Sequence, residues 1–349
     1  MITISSLLSF YITYDRLNKI INDNFKTSNK SYDKCNIFID LSSGLNSLYY
    51  NKVYMKNNEN LNIDILKDIL NMISHYKFGL KNYNVSINFY FIYSDNNSKV
   101  SINYYPYYNT NMKLIKSNNS MITDNIRSSL NLFKKIWKFL YNVFYIESDN
   151  DSSHIIYKLL KDKTLNDELN MIITKDPVIY QDIYQENILI LRPFKDIKEK
   201  KDTSYIINNN NKLDYFIKSY NISKTINDFN IEFDINRNII SSIMSLSGIK
   251  QRSYNKIFKI SESIEILNNY CSMYNTRNII PLDLFKMFKE NKLSYELENR
   301  WKAIDSDYNY NTINDIFDYD IKRLVDRDFL YNLNEKYFNN EVKIDEISN

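Results

Sequence analysis

Short apolar runs that each end at an acidic residue constrain this chain more than any other feature. The run Asn36 to Leu45 (NIFIDLSSGL) sets the pattern: four of the five residues from Ile37 to Leu41 are apolar, and Asp40 is the exception. An apolar stretch of that length between polar segments reads as a strand buried on both faces rather than as a helix. Val85 to Tyr93 (VSINFYFIY) repeats the pattern and is followed by Asp95. Val143 to Ile146 leads into the acidic loop Glu147-Ser148-Asp149-Asn150-Asp151, and Leu169 to Thr174 is followed by Asp176. Ile188 to Leu191 makes one further run.

Helical patterns lie between these runs. Apolar spacing predicts a leading helix over 2–25, helices over about 45–55 and 62–78, a long helix from Thr123 to Tyr141, and another starting near Ser152 or Ser153. The segment 101–120 reads as irregular. Strands alternating with helices predict an α/β fold, a parallel sheet covered by helices on both faces. After a polar connector at roughly 195–212 the pattern turns helical, with helices expected near 213–220, 236–246, 252–260, 262–274, 281–290, 293–303 and 313–333. The chain thus divides into an N-terminal helical extension (1–30), an α/β domain (31–195), and a helical domain with a C-terminal extension (213–349).

Bulk properties exclude some classes of function. At 349 residues and 44% hydrophobic content the chain can bury a sizeable core. Its net charge of +3 is too small to argue for nucleic acid, so such a role must rest on local patches. Cys35 and Cys271 form no metal-ligand spacing, and a reduced, intracellular protein is expected. No stretch approaches the roughly 18 apolar residues of a membrane span, so the expectation is a soluble chain with no membrane partner.

In a parallel sheet the carboxyl ends of all strands share one edge, where ligands gather. Asp40, Asp95, Asp176 and one or more of Glu147, Asp149 and Asp151 would meet there. Hard cations such as Mg²⁺ bind through a few carboxylates plus water and phosphate. Two such ions can clamp the attacking and leaving oxygens of a phosphodiester. The competing reading is that 42 acidic residues must fall somewhere, and loops are polar.

The order of the segments adds weight to the metal reading. IFIDLSSGLNSLYY, FYFIYSDNNSKV, INYYPYYNTNMK, FYIESDNDSSHIIYKLL, MIITKDPVIYQDI and LSGIKQRSYNKI occur in this sequence in that order. Together they resemble the flap endonuclease and 5′–3′ exonuclease family, particularly its phage members. The resemblance covers about residues 36 to 290. It implies a PIN-like catalytic domain with a helical arch at about 101–142, then a helical domain whose helix–three-turn–helix grips duplex DNA backbone. It further implies Asp40, Asp95, Asp151 and Asp176 as catalytic and metal-ligating residues, with Mg²⁺ or Mn²⁺ as cofactor.

The departures from the family pattern fall in the acidic site. One alignment of the family's Glu-Ala-Asp-Asp segment puts the Glu position on Asp151 and the paired Asp positions on Ser153 and His154. A slip of one residue leaves Asn150, Ser152 and Ser153; a gap sets Glu147, Asp149 and Asn150 there. The paired aspartates are absent in every case. Asp176 keeps the first acid of Asp-x-Asp, but Val178 takes the second, and Ile243 to Gly248 contains no acid. The remaining inventory suits at most one weakly held ion. His154 offers a replacement ligand for Mn²⁺ or Zn²⁺, although a lone histidine near a helix start reads more simply as a hydrogen-bonded structural residue.

DNA contacts are implied at two places. Gly248, in a chain with only three glycines, points to a backbone position requiring positive φ or close approach. With Lys250, Arg252 and Tyr254 it would suit phosphate oxygens. Lys113, Lys116, Arg127, Lys134 and Lys135 would line an arch, with Tyr104, Tyr105, Tyr107 and Tyr108 as stacking faces. Against this, tyrosine is common throughout the chain and a basic helix face is often merely solvated. The tail beyond 293 exceeds the resemblance, and its amphipathic segment DIFDYDIKRLVDRDFLYNL packs as core or docks a partner. The expected function is a DNA-binding pseudo-nuclease of viral replication or processing, bound to branched or junction DNA and to a replication protein. The alternatives are an active 5′ nuclease and a scaffold for a protein partner.

Overall fold

The computed structural model describes residues 32, 34–50, 60–80, 86–94, 99–106, 115–162, 168–196, 201–219, 226–248, 257–310, 332 and 335. Strands β1 (Lys34–Asp40), β2 (Ser86–Ser94), β3 (Val143–Ser148), β4 (Leu169–Ile173), β5 (Ile188–Asp196) and β6 (Lys201–Ile207) form one sheet in the order β3-β2-β1-β4-β5-β6. The first five are mutually parallel, and β6 runs antiparallel to β5. Helices α1 (Leu41–Leu45), α2 (Leu61–Leu80), α3 (Lys99–Tyr104), α4 (Ser120–Ile136) and α5 (Ser152–Asp162) alternate with the strands. After β6 come α6 (Lys212–Ser219), α7 (Arg237–Ser247), α8 (Ile260–Tyr274), α9 (Pro281–Lys286), α10 (Asn291–Ile304) and α11 (Ser306–Tyr310).

The twofold period of a strand explains why these runs are apolar throughout. Ile37, Ile39, Phe89, Phe91, Met171 and Ile173 face one side and pack with Leu66, Ile69 and Ile73 of α2 and Ile126, Leu130 and Phe133 of α4. Their alternates Phe38, Tyr90, Ile92, Ile172 and Ile190 face the other side and join Ile155, Ile156 and Leu159 of α5. That second cluster continues through Phe216, Ile240, Ile243, Leu267 and Leu297, so the later helices share one core with the sheet. Strands covered on both faces have no position for a polar residue except at their ends.

Register is fixed at the amino ends by asparagines. Asn36 stands opposite Asn88 on β2 and opposite Asn170 on β4. Asn88 Nδ2 donates to Asn36 Oδ1 at 3.1 Å, while Asn36 Nδ2 donates to Asn170 Oδ1 at 3.1 Å and Glu168 Oε2 at 2.7 Å. A slip of one residue would break each bond and turn every apolar side chain to the wrong face. The same register sets Asp40 beside Ile92 at the carboxyl edge.

Some expectations need correction. The polar connector at 195–212 contains β6, an edge strand whose Lys201-Asp202-Thr203-Ser204 half carries no apolar signal in the sequence. The segment read as irregular from 101 begins inside α3, and α4 starts at Ser120. The helix expected over 45–55 is instead α1 followed by a 3₁₀ turn at Asn46–Tyr50. Residues 257–259 of the helix expected over 252–260 are not helical, and the helix expected over 281–290 ends at Lys286. The leading helix and nearly all of the segment 313–333 lie outside the described residues.

Candidate functional site

The chain runs from β1 to β2 and β3 on one side of the sheet, then returns to place β4 and β5 on the other. The point of reversal lies between β1 and β4, where an open parallel sheet offers a crevice beyond its carboxyl ends. Asp40 closes β1 at this point and is 1% exposed. One of its oxygens caps α1, with Ser43 N donating to Oδ1 at 3.1 Å. The other accepts from Thr174 Oγ1, just past β4, at 2.7 Å, and the Ser152 side chain at the start of α5 bonds to the same carboxyl. Thr174 Oγ1 in turn accepts from Asp176 N at 3.0 Å, and Asp176 Oδ1 accepts from Val178 N at 3.1 Å, capping the 3₁₀ turn Pro177–Asp182. Both acids therefore serve local turns while lying close together.

That proximity has an electrostatic consequence. Burial raises the Asp40 carboxyl above the usual carboxylate range, and the Asp176 carboxylate pushes it the same way. The bonds from Thr174, Ser152 and Ser43 favour the ionised form and oppose the rise.

In the fourth acidic segment, Asp151 is buried at the start of α5, while Glu147 and Asp149 are exposed. Glu147 forms an ion pair with Lys134 and accepts from the Tyr145 hydroxyl at 3.3 Å. Ser153, His154 and Val178 are buried. His154 Nε2 donates to the carbonyl of Ile304 at 3.1 Å, so the candidate replacement ligand bonds to α10. Asp95 lies outside the described residues.

The donors that are described do not fit a two-metal centre. Among the described residues no three His, Cys, Asp or Glu side chains come together as a ligand group. Asp40 and Asp176 are the pair at the point of reversal, and Asp40 already spends both oxygens on protein donors. Hard cations require several carboxylate and carbonyl oxygens at once.

The residues proposed for DNA contact divide. On α4, Ile122, Ile126, Leu130, Phe133 and Ile136 face the core, leaving Arg127, Lys134 and Lys135 exposed, and Lys138 is exposed in the 3₁₀ turn Trp137–Phe139 that follows. Lys116 precedes that helix, and its carbonyl accepts from Asn119 N at 3.1 Å. Gly248 ends α7 with φ 89°, the left-handed region that a residue with a Cβ resists. Lys113, Lys250, Arg252, Tyr254, Tyr107 and Tyr108 lie outside the described residues. Tyr105 does not offer a stacking face: it is buried, with the Arg300 guanidinium 5.0 Å from its ring centre. Tyr104 packs edge-on against Tyr308 at 5.4 Å.

A second buried charge cluster had no counterpart in the sequence reading. Asp182 is fully buried, 3.6 Å from the Arg237 guanidinium, and accepts from Ser306 Oγ at 3.2 Å. Arg237 also lies 4.0 Å from Asp305 and over the Tyr157 ring, 4.0 Å from its centre. The Tyr157 hydroxyl donates to Asp307 Oδ1 at 2.8 Å, and Lys161 reaches the same oxygen at 2.7 Å. Burial holds the Asp182 carboxyl well above its usual range, and Arg237 opposes the shift. A buried Asp just after a strand-end acid was the available signal, but nothing near it marks Arg237 as its partner.

Comparison with known proteins places this geometry. No protein-family model matches the sequence, and no curated protein matches it. Among solved structures, the bacteriophage T5 flap endonuclease, in a pseudo-enzyme–product complex with DNA and metal ions, aligns at TM-score 0.50 and 10% identity, covering 90% of this chain and 99% of that one. The T5 5′-exonuclease with bound zinc ions aligns at TM-score 0.51 and 10% identity, covering 90% and 100%. At that identity the likeness speaks for the backbone and not for the site. The chain has the PIN-like fold of the flap endonuclease and 5′-exonuclease structures, a mixed sheet flanked by helices.

Proposed function

We propose that this chain is a structure-sensing DNA-binding protein, built on the flap endonuclease fold, whose nuclease activity is lost or severely weakened. One observation carries the reading. Asp40 is buried with both oxygens engaged by protein donors, and Ser153, His154 and Val178 stand where one alignment places family acids. Removing those carboxylates takes away both the metal ions and the activation of the attacking water. DNA binding is supported by the DNA complex of the T5 relative, by the exposed cations of α4, and by the positive-φ turn at Gly248. The phage origin of that relative suits a role in viral DNA replication or processing, on branched or junction DNA and beside a replication protein.

A second reading is an active Mg²⁺- or Mn²⁺-dependent 5′ nuclease using Asp40, Asp95, Asp151 and Asp176. The closeness of Asp40 and Asp176 at the point of reversal favours it. The two readings separate when purified protein meets labelled flap and single-stranded DNA in Mn²⁺, with Asp40→Ala/Asp95→Ala as control. Retention without cleavage, weakening steeply as salt rises, supports the pseudo-nuclease. Cleavage that disappears in the double variant supports the enzyme. Absence of both supports the scaffold.

A further inference from the structure

The carboxyl end of α10 presents carbonyls that no residue of its own helix can satisfy. Each has a partner here. Trp301 O accepts from Asp305 N at 2.8 Å, and Lys302 O accepts from Asn309 Nδ2 at 2.7 Å. Ala303 O accepts from Ser101 Oγ at 2.9 Å, and Ile304 O accepts from both His154 Nε2 and Gln181 Nε2 at 3.1 Å. Ser101, His154 and Gln181 are all 0% exposed. They lie on α3, α5 and the Pro177–Asp182 turn, the elements that follow β2, β3 and β4.

We propose that these three side chains form an intramolecular seat that docks the end of α10 onto the strand-end elements, and that position 154 must therefore hold a donor. Buried backbone carbonyls require donors, because the bonds they lose to water are not otherwise replaced. A carboxylate at 154 would be acceptor-only, and its charge would face the negative end of a helix dipole. Seating α10 and carrying an ionised acid at 154 are thus mutually exclusive. Arg237, Asp182, Asp305 and Ser306 extend the seat by one turn and bind α11 beside it. The seat stands on this geometry and does not depend on the proposed DNA-binding role.

The test compares His154→Gln, which keeps a nitrogen donor at similar reach, with His154→Glu, which has the same shape and, at a pH high enough to ionise it, only acceptors. The readout is hydrogen exchange at the amides of Asp305 and Asn309, with the amides of β1 as an internal reference. The seat predicts near-native protection in the glutamine variant and exchange faster by about tenfold or more in the glutamate variant, with β1 unchanged. Equal exchange in the two variants would overturn it. Should the glutamate variant fail to fold, Ser101→Ala decides. A rise of about threefold at the same amides supports the seat, and no rise refutes it. Cleavage of DNA by the wild type would sink the pseudo-nuclease reading without touching this result.

Discussion

Two groups of buried carboxylates lie on the same side of the sheet, and they are stabilised in different ways. Asp40 and Asp176, at the point of reversal, are held by hydroxyls and backbone amides. Asp182 and Asp305, a few residues and one helix away, are gathered around Arg237. The first arrangement resembles an acid site whose ligands have been turned to capping. The second is a junction, tying the sheet to α7 and to the segment after α10. Burial of an acid therefore does not by itself mark a metal site; what faces it decides.

The comparison can be broken most severely at the junction. Arg237→Leu leaves Asp182 buried without its guanidinium partner, with only Lys212 still nearby, and breaking a buried pair in this way costs about 3–5 kcal/mol. Urea unfolding should show a loss of that size. A loss under about 1 kcal/mol would mean that water or another cation reaches Asp182.

Lys212 sharpens the same contrast through pH. Its ammonium donates to Ile183 O at 2.6 Å beside Asp182, and burial pulls its pKa from 10.5 down to about 8, although Asp182 resists. Between those values the unfolded chain holds a proton that the folded one has released. Stability should rise with pH across that window. Lys212→Met should abolish the rise, as read from denaturation midpoints at a series of pH values.

Smaller effects are expected at the point of reversal. Thr174→Val removes the hydroxyl that bridges β4 to Asp40 and should cost about 1 kcal/mol. Asp40→Asn keeps the capping acceptor for Ser43 and removes a charge that burial already disfavours, so its cost should be about 1 kcal/mol or less. A larger loss on Asp40→Asn than on Arg237→Leu would reverse the ranking of the two groups.

The sequence made the first group readable and hid the second. Asp40 and Asp176 each follow an apolar run whose length and neighbours identify a strand, so strand ends and acids could be paired without coordinates. Arg237 sits 55 residues beyond Asp182, at the start of a helix the pattern foretells but does not place against that turn, and only packing of α7 onto the Pro177–Asp182 turn brings them together. His154 was legible as a structural histidine, but its partner, a helix-end carbonyl 150 positions away, was not. Strand β6 escaped because an edge strand buries little, and of its later residues Ile207 alone is fully covered. Gly248 was foreseeable from scarcity alone: a chain that nearly avoids glycine keeps one where φ is positive.

The most direct test of the account is the thermal midpoint of the wild type with and without millimolar Mn²⁺, beside Asp40→Ala/Asp176→Ala. An ion that binds the folded state raises its stability according to its affinity, whether or not any DNA is cut. Carboxylates committed to capping predict no metal-dependent rise in either protein. A rise in the wild type that vanishes in the double variant would show that the point of reversal still holds a metal, and would contradict the account.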